Sequence, residues 1–295
     1  MKKSDINNTP ASRTQTKIGA ITIGQSPRTD ITGDICPLLA PNITLQEYGA
    51  LDPFDADYIN QNFAPGPDSS VLVTRMRDAS QVIIGEEHIL PLVQSCITRA
   101  EADGCQATVL LCTGKFPKLK HQKMLIIPQP LIHSVLKKLA DDRPIGLLVP
   151  DESQIPQAES WFSESDIQIK VRALSPYLES TLLEERARSL QQENLSLILP
   201  DCMGYSITLK NQLQTLLKTP VLLPRTFISS LLNELYGSRP PGAPSRNRTC
   251  PRRLPAKENG WGLPALPSLM PSVSHFHPCA TIIRVPQSSV CHNHL

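Results

Sequence analysis

Eight apolar runs of strand length recur along the first 224 residues, and they constrain the fold more than any other feature of the sequence. Most are continuous rather than alternating in polarity, as expected for strands buried on both faces of a parallel sheet. The runs span 18–23, 43–48, 107–112, 124–128, 144–150, 167–171, 195–200 and 220–224. Amphipathic helical patterns lie among them at 86–102, 130–141, 154–164, 178–194, 206–217 and 226–236. This alternation predicts an α/β fold with mostly parallel sheets flanked by helices.

Two local features modify this pattern. Residues 71–84 hold two short apolar segments on either side of Arg77-Asp78-Ala79-Ser80, which predicts a β-hairpin inserted in the first half of the chain. Pro91 falls early in the helical pattern of 86–102. Because proline lacks an N–H and is best tolerated in a first turn, we expect that helix to begin near residue 90.

A weak internal repeat indicates two similar lobes. The segment IGAITIGQS at 18–26 is similar to IGLLVPDES at 145–153, and LLCTG at 110–114 is similar to LPDCMG at 199–204. We therefore expect one α/β lobe over 17–142 and a second over 143–237, with a cleft between them. The last helix of the second lobe is free to pack back on the first.

The two ends of the chain differ from the rest. Residues 1–16 are polar throughout and predict a disordered segment. Residues 238–295 hold ten of the 28 prolines and seven basic residues against one acid, Glu258, which predicts a disordered tail or a foreign extension from a frameshift or read-through. Six His and Cys residues between 275 and 294 lack the usual paired spacing of zinc ligands, so no metal site is predicted.

Composition excludes several classes of protein. No run of 18 apolar residues is present, and the N-terminal segment lacks the apolar core of a signal peptide, so we expect a cytoplasmic protein without membrane contact. Aromatic residues make up only 4%, which disfavours a nucleic-acid stacking surface. No glycine-rich phosphate loop is present, which disfavours nucleotide chemistry. We expect a small-molecule ligand, and a homo-oligomer is compatible with these features.

Candidate site residues follow the predicted strands, because ligands of open α/β sheets bind beyond the carboxyl ends of the strands. Two cysteines, Cys112 and Cys202, occupy equivalent strand ends in the two halves. A thiol near a helix N-terminus is favoured as a thiolate. The other residues at these ends are Gln25, Ser26, Arg28, Thr113, Gly114, Met203, Gly204, Tyr205 and Arg225.

Residues 17–237 resemble the AroM family, within the aspartate/glutamate/hydantoin racemase-like superfamily. The resemblance is carried by TIGQSPR (22–28), YGALD (48–52), LCTGKF (111–116), PQPLIH (128–133), GLLVPD (146–151), LPDCMGYS (199–206) and PVLLPRTFISSLL (220–232). It implies a two-lobed fold and a cleft in which two cysteines act on opposite faces of a substrate without a cofactor. Cys112 and Cys202 match those two positions.

The resemblance also implies roles for the remaining site residues. Ser26 and Arg28 match a loop that holds substrate groups. The enediolate formed at the α-carbon needs nearby hydrogen-bond donors, which Thr113, Gly114 and the backbone of Met203 and Gly204 can supply. Arg225 is suited to clamp a second carboxylate.

The chain departs from amino-acid racemases of this superfamily at two places. Cys202 is followed by Met203-Gly204-Tyr205 rather than by a hydroxyl residue or histidine, and Gln25-Ser26 replaces the usual acidic start of the first loop. A dicarboxylate, hydroxy acid or keto acid therefore fits at least as well as an amino acid. We weigh three functions: a cofactor-independent racemase, isomerase or decarboxylase; a non-catalytic metabolite-binding protein associated with aromatic amino-acid biosynthesis; and a partly inactive product with an aberrant C-terminus.

Overall fold

The computed structural model describes residues 15–67, 69–139, 141–163, 167–177 and 180–238, with the backbone alone at 180–182. The predicted N-terminal segment and the predicted tail lie almost wholly outside these ranges. The histidine and cysteine cluster near the C-terminus lies outside them entirely.

Strands and helices alternate along the described residues, as the apolar pattern predicts. In chain order the elements are β1 (Thr16–Thr22), α1 (Thr29–Ile35), β2 (Ile43–Gly49), α2 (Ala56–Asn62), β3 (Val71–Arg75), β4 (Gln81–Gly85), α3 (Glu86–Ala102), β5 (Ala107–Leu110), β6 (Met124–Ile126), α4 (Pro128–Leu139), β7 (Ile145–Val149), α5 (Ile155–Phe162), β8 (Ile169–Ala173), α6 (Ser180–Gln191), β9 (Leu197–Pro200), α7 (Ile207–Leu217) and α8 (Pro224–Tyr236). Single 3₁₀ turns lie at Cys36–Leu38 and Glu152–Gln154.

Two parallel sheets organise these elements. The first has the strand order β2-β1-β5-β6 and the second has the order β8-β7-β9, and every pairing within both is parallel. Strands β3 and β4 pair with each other in antiparallel fashion, which confirms the inserted hairpin. The predicted fold class, an α/β protein with mostly parallel sheets, is therefore confirmed.

Each sheet buries both of its faces, which explains why its strands read as continuous apolar runs. In β1, Ile21 packs toward α3, while Ile18 and Ala20 pack toward α1 and α8 on the opposite face. In β7, Leu148 packs toward α6 and α7, while Leu147 packs toward α4 and α5. A strand that alternates between two apolar layers has no polar face to reveal its period.

Two helices cross between the parts of the chain. Helix α8, which follows the second sheet in sequence, packs Ile228 and Leu232 against the first sheet. Helix α4, which precedes the second sheet, packs Ile132 and Leu136 against it. Each sheet is thus covered partly by chain from the other part, and the lobe boundaries at 142 and 237 stay a prediction.

Two local expectations need correction, and two short helices are added. Helix α3 begins at Glu86, with Pro91 inside it, because only one backbone hydrogen bond of the helix is lost there. The expected strand at 220–224 is reduced to a single bridge at Val221, since Pro220 and Pro224 each lack an N–H. Helices α1 and α2 were not expected, because seven residues are too few to display a helical period.

Candidate functional site

Cys112 and Cys202 occupy equivalent positions on the two sheets. Cys112 lies two residues beyond the end of β5, and Cys202 lies two residues beyond the end of β9. In both cases the preceding residue donates its backbone N–H to the adjacent central strand, Leu111 to β1 at 2.7 Å and Asp201 to β7 at 2.8 Å. The repeat found in the sequence therefore corresponds to the same backbone contact with a central strand just before each cysteine.

Each thiol also accepts a hydrogen bond from the glycine two residues further on. The distance is 3.3 Å from the Gly114 nitrogen to Cys112 Sγ, and 3.3 Å from the Gly204 nitrogen to Cys202 Sγ. A Cβ atom at Gly204 would lie 2.8 Å from the Tyr177 hydroxyl, so the chain can approach this closely only with glycine. These N–H groups favour the thiolate form of each cysteine.

Both cysteines line one cavity between the two sheets. Its volume is about 40 Å³, room for a few water molecules. Ligand sites of enzymes are usually several hundred Å³, so a substrate can enter only if the walls separate. The walls are contributed by the β3 strand, by the loops after β5, β7 and β9, and by α5 with the turn before it: Leu72, Val73, Cys112, Thr113, Gly114, Val149, Pro150, Gln154, Gln157, Ala158, Trp161, Asp201 and Cys202.

Burial controls the ionisation of both thiols. It raises the pKa of Cys112 to about 12, while the Gly114 N–H and the Arg28 guanidinium act in the opposite direction. Burial likewise raises the pKa of Cys202, against the Gly204 N–H and the positive charges of Arg28 and Arg225. Asp201 raises the pKa of both thiols through its negative charge. Cys202, which lies near two guanidinium groups, is the better placed of the two to ionise.

Arg28 links the loop after β1 to Tyr177 near the second sheet, but it does not line the cavity. Its side chain is buried, and its Nε and one terminal nitrogen each donate to Asp30 at 2.8 Å. The same terminal nitrogen donates to the Tyr177 hydroxyl at 3.0 Å. Burial disfavours the charged form, but the hydrogen bonds and charge of Asp30 outweigh it and raise the pKa of Arg28 above its usual value. The guanidinium is therefore a fixed cation beside Cys202.

Gln25 and Ser26, which lie in the loop after β1 and are predicted to bind substrate, have protein partners in the structure. The Ser26 backbone N–H and hydroxyl each donate to the Asp52 carboxylate at 2.7 Å. The Gln25 amide donates to the Phe54 carbonyl at 2.8 Å and accepts from the Arg77 backbone N–H at 2.9 Å. These contacts anchor the first loop to its neighbours and do not place either side chain in the cavity wall.

Arg225 is also directed at the protein rather than at the cavity. Its side chain is fully buried and donates to the backbone carbonyls of Met203 and Gly204, both at 2.6 Å. A third hydrogen bond, 2.7 Å long, reaches the carboxylate of Asp34 on α1. Arg225 thus fixes the loop that carries Cys202.

The remaining predicted residues divide between the cavity and the core. Thr113 and Gly114 line the cavity, together with Cys112. Met203 is buried in the core that joins α8 to the first sheet. Tyr205 is fully buried, and its hydroxyl donates to the Leu174 carbonyl.

Several cavity residues were not predicted as site residues from the sequence. Asp201 is one of them, and its position immediately before Cys202 is the one sequence signal that points to it. Leu72 and Val73 of the hairpin, and Gln154 and Gln157 beside α5, reach the cavity through long-range packing that no local pattern encodes.

Neither a metal centre nor a membrane span emerges from the part of the chain that the structure describes. Among these residues no group of three or more His, Cys, Asp or Glu side chains could hold a metal ion. None of the described helices combines the length and the apolar character that crossing a bilayer requires.

The fold is shared with solved structures of isomerases and decarboxylases. Unliganded arylmalonate decarboxylase matches with a TM-score of 0.52 and 14% identity, covering 77% of this chain and 96% of that one. The maleate isomerase Iso of Pseudomonas putida S16 matches with a TM-score of 0.50 and 12% identity, covering 75% and 92%. A mutant Nocardia farcinica maleate cis-trans isomerase, solved with a covalently bound succinylcysteine intermediate, matches with a TM-score of 0.50 and 14% identity, covering 75% and 92%.

These likenesses define the class of protein: an α/β protein with the fold of arylmalonate decarboxylase and the maleate isomerases. The family is then given by sequence, since the family profile described as AroM protein matches residues 18–236. The chain belongs to the AroM family, which confirms the resemblance found in its motifs. No curated protein matches the chain.

Proposed function

We propose that this protein catalyses cofactor-independent proton transfer at the α-carbon of a small carboxylic acid, as a racemase or isomerase, with Cys112 and Cys202 as the acid–base pair. One observation carries the proposal: two thiols from equivalent loops line the same cavity, and each accepts an N–H from the glycine two residues on. General acid–base catalysis of this kind needs two groups within reach of one carbon.

The reaction balances without a further reactant. One cysteine, as the thiolate, takes the α-proton, so that the C–H bond breaks, an S–H bond forms and the electron pair moves into the carboxylate as an enediolate. The opposite thiol then gives its proton to the carbon and becomes a thiolate. The reaction reverses by the same path with the roles of the two cysteines exchanged.

The donors near the thiols suit this chemistry. The Gly114 and Gly204 N–H groups stabilise whichever sulfur is charged. Thr113 lines the cavity beside Cys112, and its hydroxyl is a donor of the type that stabilises an enediolate. Because both sulfurs are desolvated, the base is strong once formed.

The test is exchange of the α-proton with solvent. The full-length protein is incubated in D₂O with amino acids, hydroxy acids, substituted malonates, unsaturated dicarboxylates and hydantoins, and deuterium at the α-carbon is followed by NMR. We expect exchange with at least one class, abolished in Cys112→Ala and in Cys202→Ala. Exchange that survives in either variant would contradict the two-thiol mechanism.

A second function, metabolite binding without catalysis, is favoured by one observation. Burial raises the pKa of both thiols above the usual range, which disfavours the thiolate that proton transfer needs. A binding protein of this kind would retain ligand affinity in Cys112→Ala and Cys202→Ala and would show no α-proton exchange with any of the ligands.

A further inference from the structure

The cavity wall contains a carboxylate that the proposed two-thiol reaction does not use. Asp201 lies between β9 and Cys202, and its side chain is only 2% exposed. Its Oδ2 atom is buried and has no hydrogen-bond partner among the described residues. An unpaired carboxylate oxygen in a buried site is costly, so a donor is strongly favoured there.

The imidazole of His133, on α4, lies behind Asp201. Its Nε2 is 4.0 Å from Asp201 Oδ2, which is too long for a hydrogen bond, and this nitrogen also has no partner. Its Nδ1 lies 3.4 Å from the side-chain nitrogen of Gln129. Because an amide nitrogen only donates, this contact favours the tautomer with the proton on Nε2, the ring nitrogen nearer the carboxylate. The ring packs against Phe162 at 4.6 Å between centroids.

A second unpaired acceptor lies in the same wall. Gln154 Oε1 is buried without a partner, while the nitrogen of that amide donates to the Val71 carbonyl at 3.4 Å. None of the described residues that line the cavity is a lysine or an arginine. Two residues of the cavity wall therefore carry a buried acceptor without a partner, and one of these acceptors is a carboxylate oxygen.

We infer that Asp201 binds a hydrogen-bond donor on the substrate, so that the substrate is a small acid bearing a hydroxyl or amino group rather than a second carboxylate, and that His133 positions the Asp201 carboxylate. This inference rests on the proposed function, in which the two thiols act on a small carboxylic acid. A second carboxylate would face Asp201 with like charge at short range. A hydroxyl or ammonium group would instead complete a charge-assisted hydrogen bond.

The test uses ligands that differ in one substituent at the α-carbon. Lactate, alanine, propanoate and methylmalonate form one series; mandelate, phenylglycine, phenylacetate and phenylmalonate form a second, larger one. Affinities for the full-length protein are measured by NMR titration. In at least one series the hydroxy or amino acid binds about tenfold more tightly than the dicarboxylate, the ratio expected for one charge-assisted hydrogen bond. Equal or tighter binding of the dicarboxylate, or no binding in either series, overturns the inference.

Variants separate recognition from a purely structural role. Asp201→Asn removes the charge and keeps the shape, so the preference over the dicarboxylate falls to about twofold or less. Asp151→Asn is the matched control: Asp151 follows β7, and its carboxylate caps the next turn by accepting from the Ser153 N–H at 2.9 Å. We expect this variant to keep the full preference. An unchanged preference in Asp201→Asn overturns the inference.

The positioning role of His133 is tested in the same assay. His133→Gln keeps an N–H donor near Asp201, and His133→Phe removes it. We expect the glutamine variant to retain most of the preference and the phenylalanine variant to lose it, whereas a packing role alone would favour the phenylalanine. If the ligand preference is present but no α-proton exchanges, the proposed function fails and the recognition by Asp201 stands. If exchange occurs and Asp201→Asn does not alter the preference, the proposed function stands and the recognition by Asp201 fails.

Discussion

The backbone N–H of Gly204 donates to Cys202 Sγ over 3.3 Å, and Gly114 holds Cys112 in the same way at the same distance. The four residues lie in loops that follow strands of two different sheets, yet both thiols reach one cavity. A single buried cysteine is more often a core residue than a catalytic one. Two buried cysteines that have matching local contacts and line the same cavity favour chemistry on the two faces of a ligand.

Removing either thiol should abolish exchange at the α-carbon. Cys112→Ala and Cys202→Ala each lose the group that gives or takes the proton on one face, so we expect the rate to fall by at least about 100-fold. Deuterium incorporation measured by NMR provides the rate. Cys36→Ala, at an exposed cysteine outside the cavity, is the control and should retain the wild-type rate. A cysteine variant with more than half of the wild-type rate would contradict the assignment.

The two thiols should differ in the pH at which they react. Iodoacetamide attacks only the thiolate, and burial raises the pKa of Cys112 to about 12. A raised pKa means that the thiolate fraction near neutral pH is below that of an ordinary thiol and grows as the pH rises. Cys202, near the two guanidinium groups of Arg28 and Arg225, should be alkylated first. Mass spectrometry of the modified peptides at several pH values measures both rates, with N-acetylcysteine as the reference; earlier modification of Cys112 would contradict this order.

Arg225 should contribute to stability rather than to ligand binding. Arg225→Met leaves two buried carbonyls without their donor and removes the cation paired with Asp34, whose carboxylate keeps only the N–H of Ile207. We therefore expect a loss of about 3 kcal/mol in the free energy of unfolding. Denaturant titration measures this loss. The control is Arg188→Met, at an exposed arginine paired along α6, which should change stability by less than about 0.5 kcal/mol. A loss below about 0.5 kcal/mol in Arg225→Met would show that the hydrogen bonds of Arg225 contribute little to stability.

The sequence predicts the strands and the two cysteines because each is encoded locally. Continuous apolar runs mark strands buried on both faces, and the repeat places Cys112 and Cys202 at matching strand ends. The role of Arg225 could not be read in this way, because its partners include Asp34, on α1 and far away in the chain. The place of Asp201 and His133 at one site likewise depends on α4 packing against the second sheet.

The hairpin of β3 and β4 shows more clearly that a local sequence pattern does not predict long-range contacts. Its turn and alternating strands predict β3 and β4, but nothing in residues 71–84 indicates what they cover. In the structure Leu72 and Val73 form one wall of the cavity, and Arg75 lies 4.4 Å above the ring of Tyr177 from the other half of the chain. Surface contacts between distant segments leave no period or motif in either segment.

Opening of the hairpin should limit access to the thiols. The backbone N–H of Val71 donates to the Gln157 side chain at 3.2 Å, and the Val71 carbonyl accepts from Gln154 at 3.4 Å. These bonds close a cavity of about 40 Å³. Gln157→Ala removes one of them, worth about 1 kcal/mol, so the open form should become about fivefold more populated and alkylation of Cys112 about fivefold faster.

Gln94→Ala is the matched control for this experiment. The side-chain amide of Gln94 binds the backbone of a distant residue, as that of Gln157 does. It accepts from the Lys120 N–H at 2.7 Å and donates to the Lys120 carbonyl at 2.8 Å, and neither residue lines the cavity. The Gln94→Ala variant should leave the alkylation rate of Cys112 unchanged. Equal rates in Gln157→Ala and in the wild type, at a pH where Cys112 is measurably reactive, would mean that ligands enter without displacing the hairpin. The alternative route would then have to pass between the loops after β7 and β9, where Pro150 and Asp201 line the cavity.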